Sequence, residues 1–217
     1  MHMNTFSIGD NVRFGWGTFK KRSWFFIGAL LLYIVAVSIV SAVLGELGKI
    51  GPAIAFVSAL GSWIVQTLAS MGLIAFLLKA HDNPESVSFM DFWHPQTLLN
   101  YLGASILVGI LVFVGFVLLI VPGVIAMLML IFTLYLVIDR NMGPIVAMKE
   151  SARITKGYRM KLLGLVLTMV GLNIVGLLCL VVGLLVSMPV SMLALVHAYR
   201  TLEHHANEMA PTTGSSA

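Results

Sequence analysis

A single cysteine, Cys179, is all the thiol in this chain. It lies inside an apolar run without a partner, which excludes an intrachain disulfide or a cysteine metal cluster. Charge is scarce as well: Asp, Glu, Lys and Arg make up 10% of the residues, against about 25% in soluble domains. With 59% hydrophobic residues and a mean hydropathy of +0.99, the polar surface needed to cover an ordinary soluble domain is missing. Catalytic signatures are lacking too. The sequence contains no glycine-rich phosphate loop, no nucleophile elbow, no His-Glu-x-x-His pair and no nucleotide-binding fingerprint.

What the chain does contain is apolar runs of membrane-crossing length, about 20 residues each. Residues 24–44 form the first. The basic stretch before it resembles a signal peptide, but the run is too long and further spans follow, so a retained anchor is expected. Gly51 and Pro52 open a second span that reaches about residue 78, proline being tolerated in the first helical turn. From Tyr101 to Ile138 no residue is charged, which is too long for one crossing and right for two, with the break at Val121-Pro122-Gly123. Residues 162–199 repeat that hairpin, with a break between Gly183 and Pro189.

Short amphipathic segments precede the hairpins. Val12, Trp16 and Phe19 share a face beside Arg13, Lys20, Lys21 and Arg22; Phe89, Phe92 and Trp93 mark a second segment; Ile145, Met148 and Ala152 oppose Lys149, Arg153 and Lys156 in a third. The pattern predicts an all-α polytopic membrane protein, six transmembrane helices forming three hairpins, each preceded by an interfacial amphipathic helix. Residues 1–205 are expected to be one membrane domain and 206–217 a disordered polar tail. Laying Gly28 on Gly164 places Val12 on Met148, Arg13 on Lys149, Trp16 on Ala152 and Lys20 on Lys156. A threefold repeat over 6–80, 86–140 and 144–203 is therefore expected, with Pro52, Pro122 and Pro189 near the start of each second helix; the middle copy has Ser88 and Pro95 at the basic positions.

Of the 13 Lys and Arg residues, all except Lys49 fall on one side of a six-span topology. By the positive-inside rule, both termini are expected in the cytoplasm of a bacterium, with the chain in its inner membrane. The net charge of +4 then points to anionic lipid headgroups and away from nucleic acid. Arg13, Lys20, Lys149, Arg153, Lys156, Arg159 and Lys161 are the candidate headgroup ligands, each worth about 1 kcal/mol toward anionic lipid. Along the second span, Ser58, Ser62, Gln66 and Ser70 fall at steps of four and share a face that is expected to pack inward. Ser62, Gln66, Ser70 and Asn173 are the candidate polar intramembrane residues. Gly164, Thr168 and Gly171 form a small-residue strip on the fifth span. His197 stands about one turn before Arg200. His81, Asp82, Glu85, Asp91 and His94 cluster in a spacing that matches no zinc or calcium signature, so neither a metal nor another cofactor is expected.

These features predict a non-enzymatic protein of membrane organisation, or a partner subunit, in contact with anionic lipid and with another membrane protein or a second copy of the chain. The alternative is a small transporter or channel with a polar path between the second and fifth helices. A lipid-modifying enzyme with a site near His197 or His81–His94 ranks third.

Residues 147–164, AMKESARITKGYRMKLLG, preceded by Leu136-Val137-Ile138-Asp139, resemble a broad group of uncharacterised bacterial integral membrane proteins. That group is related to the membrane domain fused to some glycerophosphodiester phosphodiesterases. Asp139, Ser151, Lys156, Gly157, Pro122 and Pro189 carry the likeness, which covers most of the chain loosely. It implies a six-helix bacterial membrane protein and supplies no activity, so the hydrolytic chemistry of the phosphodiesterase domain is not carried over.

Overall fold

The structure, a computed structural model, describes residues 6–83, 86–87, 97–179 and 182–208. Helices α1 (Ile8–Lys21), α2 (Ser23–Gly48), α3 (Pro52–Asp82), α4 (Leu98–Leu118), α5 (Ile120–Leu130), α6 (Thr133–Arg140), α7 (Pro144–Ile154), α8 (Arg159–Leu178) and α9 (Leu184–Glu208) follow in order. Because α5 and α6 are two halves of one rod, six helices are long and apolar enough to cross a membrane. No strand occurs among the described residues.

Local chemistry sets the helix ends. Ser7 caps α1, its Oγ accepting the Asp10 N–H at 3.4 Å while the Asn11 amide donates to the Ser7 carbonyl at 2.7 Å. Pro52 occupies the first turn of α3. Between α4 and α5 the chain reverses through Leu119 alone, extended at φ −169° and ψ 156°. So tight a reversal needs small residues, since a Cβ on Gly115 would lie 3.0 Å from Gly123 Cα and one on Gly123 would lie 2.5 Å from the Phe116 ring. The break thus precedes the expected Val121-Pro122-Gly123, and Gly123 serves helix contact instead. In the last hairpin, α9 begins at Leu184, so Pro189 sits inside the helix and removes one backbone donor without ending it.

α3, α6 and α9 form an inner layer, and α2, α4 and α8 an outer one. Half of the most apolar window of α9 is buried, with 44% for the α5–α6 rod and 39% for α3, against 11%, 17% and 17% for α2, α4 and α8. Each outer helix also packs on the second span of another hairpin: α2 on α9, α4 on α3, α8 on α5. The ring of hairpins is closed in this way.

Burial is uneven along the bundle. Phe26, Ala29 and Leu30 are the buried positions of α2, all near its start, and most buried residues of α3 lie from Met71 onward. Tyr101, Phe132, Leu136, Leu162, Leu193 and Tyr199 are sealed at that same end.

The expected amphipathic segments before the first and third hairpins are helices, α1 and α7, each docked on a second span. A Cβ on Gly15 would lie 2.5 Å from the Val190 carbonyl oxygen and 3.0 Å from the Ala194 nitrogen, so only glycine lets α1 approach α9 there. On α7, Ser151 Oγ donates to the Met129 carbonyl at 2.7 Å and accepts the Phe132 N–H at 3.3 Å. That hydroxyl satisfies backbone groups freed where α5 gives way to α6. Phe89, Phe92 and Trp93 of the expected middle segment lie outside the described residues. Helix α9 runs to Glu208, past residue 206 where the tail is expected to begin; residues 209–217 lie outside the described residues.

Candidate functional site at the charged end

The three inner helices finish in charge. α3 continues past the expected residue 78 to Asp82, which brings that carboxylate level with Asp139 of α6 and Arg200 of α9. Arg200 answers both: Nη1 donates to Asp139 Oδ2 at 2.6 Å and Nη2 to Asp139 Oδ1 at 2.9 Å, while Nη2 also reaches Asp82 Oδ2 at 2.6 Å and Nε reaches Asp82 Oδ1 at 3.2 Å. The planar guanidinium suits this double fork as an ammonium would not. Arg140 Nε pairs with Glu203 Oε1 at 2.6 Å, and the Tyr199 hydroxyl donates to Asp139 Oδ2 at 2.8 Å. The Glu203 side chain is 8% exposed and that of Asp139 16%, so neither carboxylate would stay charged cheaply without its cation. These residues form one knot that ties α3, α6 and α9 together.

A histidine pair adjoins it. His81 Nε2 and His197 Nδ1 lie 3.0 Å apart, and His81 Nδ1 lies 3.0 Å from Asp82 Oδ1. With both rings neutral, Asp82 accepts the Nδ1–H of His81, leaving its Nε2 to accept from His197. Phe14 of α1 stacks on His197 at a 4.0 Å centroid distance and 7° between planes, and tilts against His81 at 4.6 Å. His197 therefore joins three helices. Of the acidic and histidine cluster read from the sequence, His81 and Asp82 turn to His197 and Arg200; Glu85, Asp91 and His94 lie outside the described residues.

The seven candidate headgroup ligands divide. Arg13, Lys20, Lys149, Lys156 and Lys161 are exposed, with Lys20 Nζ 4.9 Å over the Trp16 ring and Lys161 Nζ 5.7 Å over that of Tyr158. Arg153 is engaged: it donates to both Glu150 oxygens at 2.6 and 2.8 Å and to the Ala206 carbonyl at 3.0 Å. That hydrogen bonding holds the Glu150 carboxyl below its ordinary pKa. Arg159 is half-buried, and its Nε has no hydrogen-bond partner. Tyr158 faces Phe6 at 6.0 Å and His205 at 6.3 Å, so the first described residues, the α7–α8 turn and the end of α9 gather at one end.

The polar intramembrane candidates do not converge. Ser70 Oγ and the Tyr101 hydroxyl share a 2.9 Å hydrogen bond that joins α3 to α4, and Ser62 is half-buried, but Gln66 is exposed. The face expected to pack inward does so at Ser58 and Ser70 and not at Gln66, because the close neighbours of α3 gather beyond Met71. Asn173 is satisfied inside its own hairpin: Nδ2 donates to the Met169 carbonyl at 2.9 Å and to Ser191 Oγ at 3.2 Å, and Oδ1 accepts from Ser187 Oγ at 2.8 Å. α3 packs on α2, α4, α6 and α9, whereas α8 packs on α9, α5 and α1. Within the small-residue strip, Gly164 meets Ile8 of α1 while Gly171 faces open space.

The knot and the Phe14 stack were missed in the sequence, where Asp139 with Arg140 and Arg200 with Glu203 end apolar runs and Asp139 otherwise enters only through the family resemblance. The available signal was that every second span finishes with both a base and an acid, Lys79 with Asp82, Asp139 with Arg140, and Arg200 with Glu203.

No family model matches the chain, and no solved structure does. Among curated proteins it is similar to an uncharacterised protein of Mycobacterium bovis, 25% identical, and to uncharacterised proteins of two Mycobacterium tuberculosis strains, 25% and 24% identical. Each alignment covers 91% of this chain and 69% of the relative. None of these comparisons reaches the phosphodiesterase-associated group.

Proposed function

We propose that the chain is a non-enzymatic protein of a bacterial inner membrane, with both termini cytoplasmic, working in membrane organisation or as a partner subunit of another membrane component. The observation that carries this reading is the division of charge at one end of the bundle. The inner carboxylates are neutralised by Arg140 and Arg200, while Arg13, Lys20, Lys149, Lys156 and Lys161 stand exposed around them, placed to meet anionic headgroups. The sequence likeness at residues 147–164 to phosphodiesterase-associated membrane domains fits the same picture and brings no hydrolytic chemistry.

The repeat belongs to this reading. Under the register that lays Gly28 on Gly164, Gly15 falls on Ser151, and both residues touch the backbone of a second span, Val190 in one case and Met129 in the other. A ring of three related units, 6–80, 86–140 and 144–203, accounts for that correspondence.

The test uses protein extracted in mild detergent, with retained lipid identified by native mass spectrometry. Wild type should keep phosphatidylglycerol over phosphatidylcholine, and K149Q/K156Q/K161Q should lose much of that preference while remaining folded; Arg153 is left alone because it braces α7 against α9. Equal retention of both lipids by the wild type, together with no co-purifying membrane protein, would end the proposal.

A further inference from the structure

α1, α8 and α9 enclose a groove of about 330 Å³ whose wall includes Val12, Trp16, Val175, Cys179, Val186 and Val190. That volume falls in the range of small-molecule sites, about 300 to 1,000 Å³, and is less than one turn of a helix about 10 Å across would fill. Ser187 is the hydroxyl on its wall, and it is already committed to Asn173, so nothing polar in the groove asks for a polar ligand. Val175, Cys179 and Trp16 are all exposed, which makes the groove open sideways to the surroundings of the hairpin.

The edge of the groove is basic. Val12 and Trp16 stand one turn apart on α1 and Lys20 follows one turn later, while Arg13, seven residues before Lys20, shares the flank of Lys20 beside that apolar stripe. Lys20 Nζ lies 4.9 Å over the Trp16 ring, so the ammonium is seated directly on the groove wall. Neither Arg13 nor Lys20 is buried. An apolar slot beside two cations about two turns apart on the same helix matches a ligand with a hydrocarbon chain and a negatively charged head.

We infer that this groove binds one acyl chain of an anionic glycerophospholipid, whose phosphate is held by Arg13 and Lys20. The inference rests on the membrane reading above and narrows its lipid contact to one place. Trp16 is the pivot, its ring both lining the groove and seating Lys20.

The experiment reconstitutes the full chain in vesicles containing phosphatidylglycerol or phosphatidylcholine, each carrying a photoreactive diazirine in its acyl chain, and maps the crosslinks by mass spectrometry. At residues 172–179 and 182–190, phosphatidylglycerol should exceed phosphatidylcholine by about tenfold, whereas at the exposed Phe113 and Val117 of α4 the two should label equally. R13Q/K20Q should bring the groove ratio down to that of α4. V175W, which fills the slot from an exposed position, should lower groove crosslinking by phosphatidylglycerol without altering α4. A groove ratio equal to that of α4 in the wild type, or one unchanged in R13Q/K20Q, overturns the site. Total phosphatidylglycerol retention is read in parallel: retention with an unselective groove refutes this site alone, and no retention refutes the broader lipid reading with it.

Discussion

At the charged end, Tyr101, Phe132, Leu136, Leu193 and Tyr199 are sealed from the surface and the helices are tied by Arg200; at the opposite end Ile39, Val43, Ile50, Phe113, Leu118 and Leu178 project outward. Large apolar side chains occur at both ends, so their presence alone does not explain why one end is sealed. In a bilayer an apolar side chain gains little by leaving lipid for protein, and helices associate through close packing and polar links instead. The charged end has both, in the Gly15 approach, the Ser151 hydroxyl and the carboxylate knot. The far end holds together mainly within each hairpin, through glycine pairs such as Gly115 with Gly123.

Substitutions that remove the links should hurt the charged end and leave the far end indifferent. Arg200→Leu carries the largest effect, about 3–5 kcal/mol, because Asp139 stays mostly buried after losing its cation; the unfolding midpoint in detergent should fall steeply. Leu118→Ala at the far end is its counterpart, expected within about 0.5 kcal/mol of wild type, and equal midpoints for the two variants would erase the contrast. Gly15→Leu comes next, at about 1–3 kcal/mol from overpacking against backbone that cannot yield, read as new proteolytic cleavage within α1. Ser151→Ala should cost about 1 kcal/mol or somewhat more and raise hydrogen exchange at Phe132. The smallest effect is a pH dependence. Since the Glu150 pKa is lowered on folding, its pairing with Arg153 stabilises fully above the unfolded value, about 4.3, and is lost as the pH falls through the folded one. Hydrogen exchange near the end of α9 should rise on acidification in wild type and not in Glu150→Gln.

Six spans were legible because the length of an apolar run is a property of the sequence itself. The reversal at Leu119 was not, since it depends on Gly115 meeting Gly123 across the turn, a contact that residue order does not display. Gln66 shows the same limit differently: periodicity placed it correctly on the face of Ser62 and Ser70, but which part of that face finds a neighbour is decided by where helices converge. The candidate headgroup residues are recognisable in the sequence as cations, while the separate fate of Arg153 required Glu150 and the Ala206 carbonyl to be in place.

The seat of α1 on α9 has a consequence in time. Gly15 and Phe14 meet partners at Val190, Ala194 and His197, so α1 cannot settle until α9 exists. At about 5–20 residues per second, ribosomal synthesis leaves α1 waiting on the order of ten seconds or more. Throughout that interval Val12, Phe14 and Phe19 have lipid or a passing protein for company. Completion of the ring is thus a post-insertion event, and a chain stopped before α9 would carry α1 undocked, with its basic residues unpositioned.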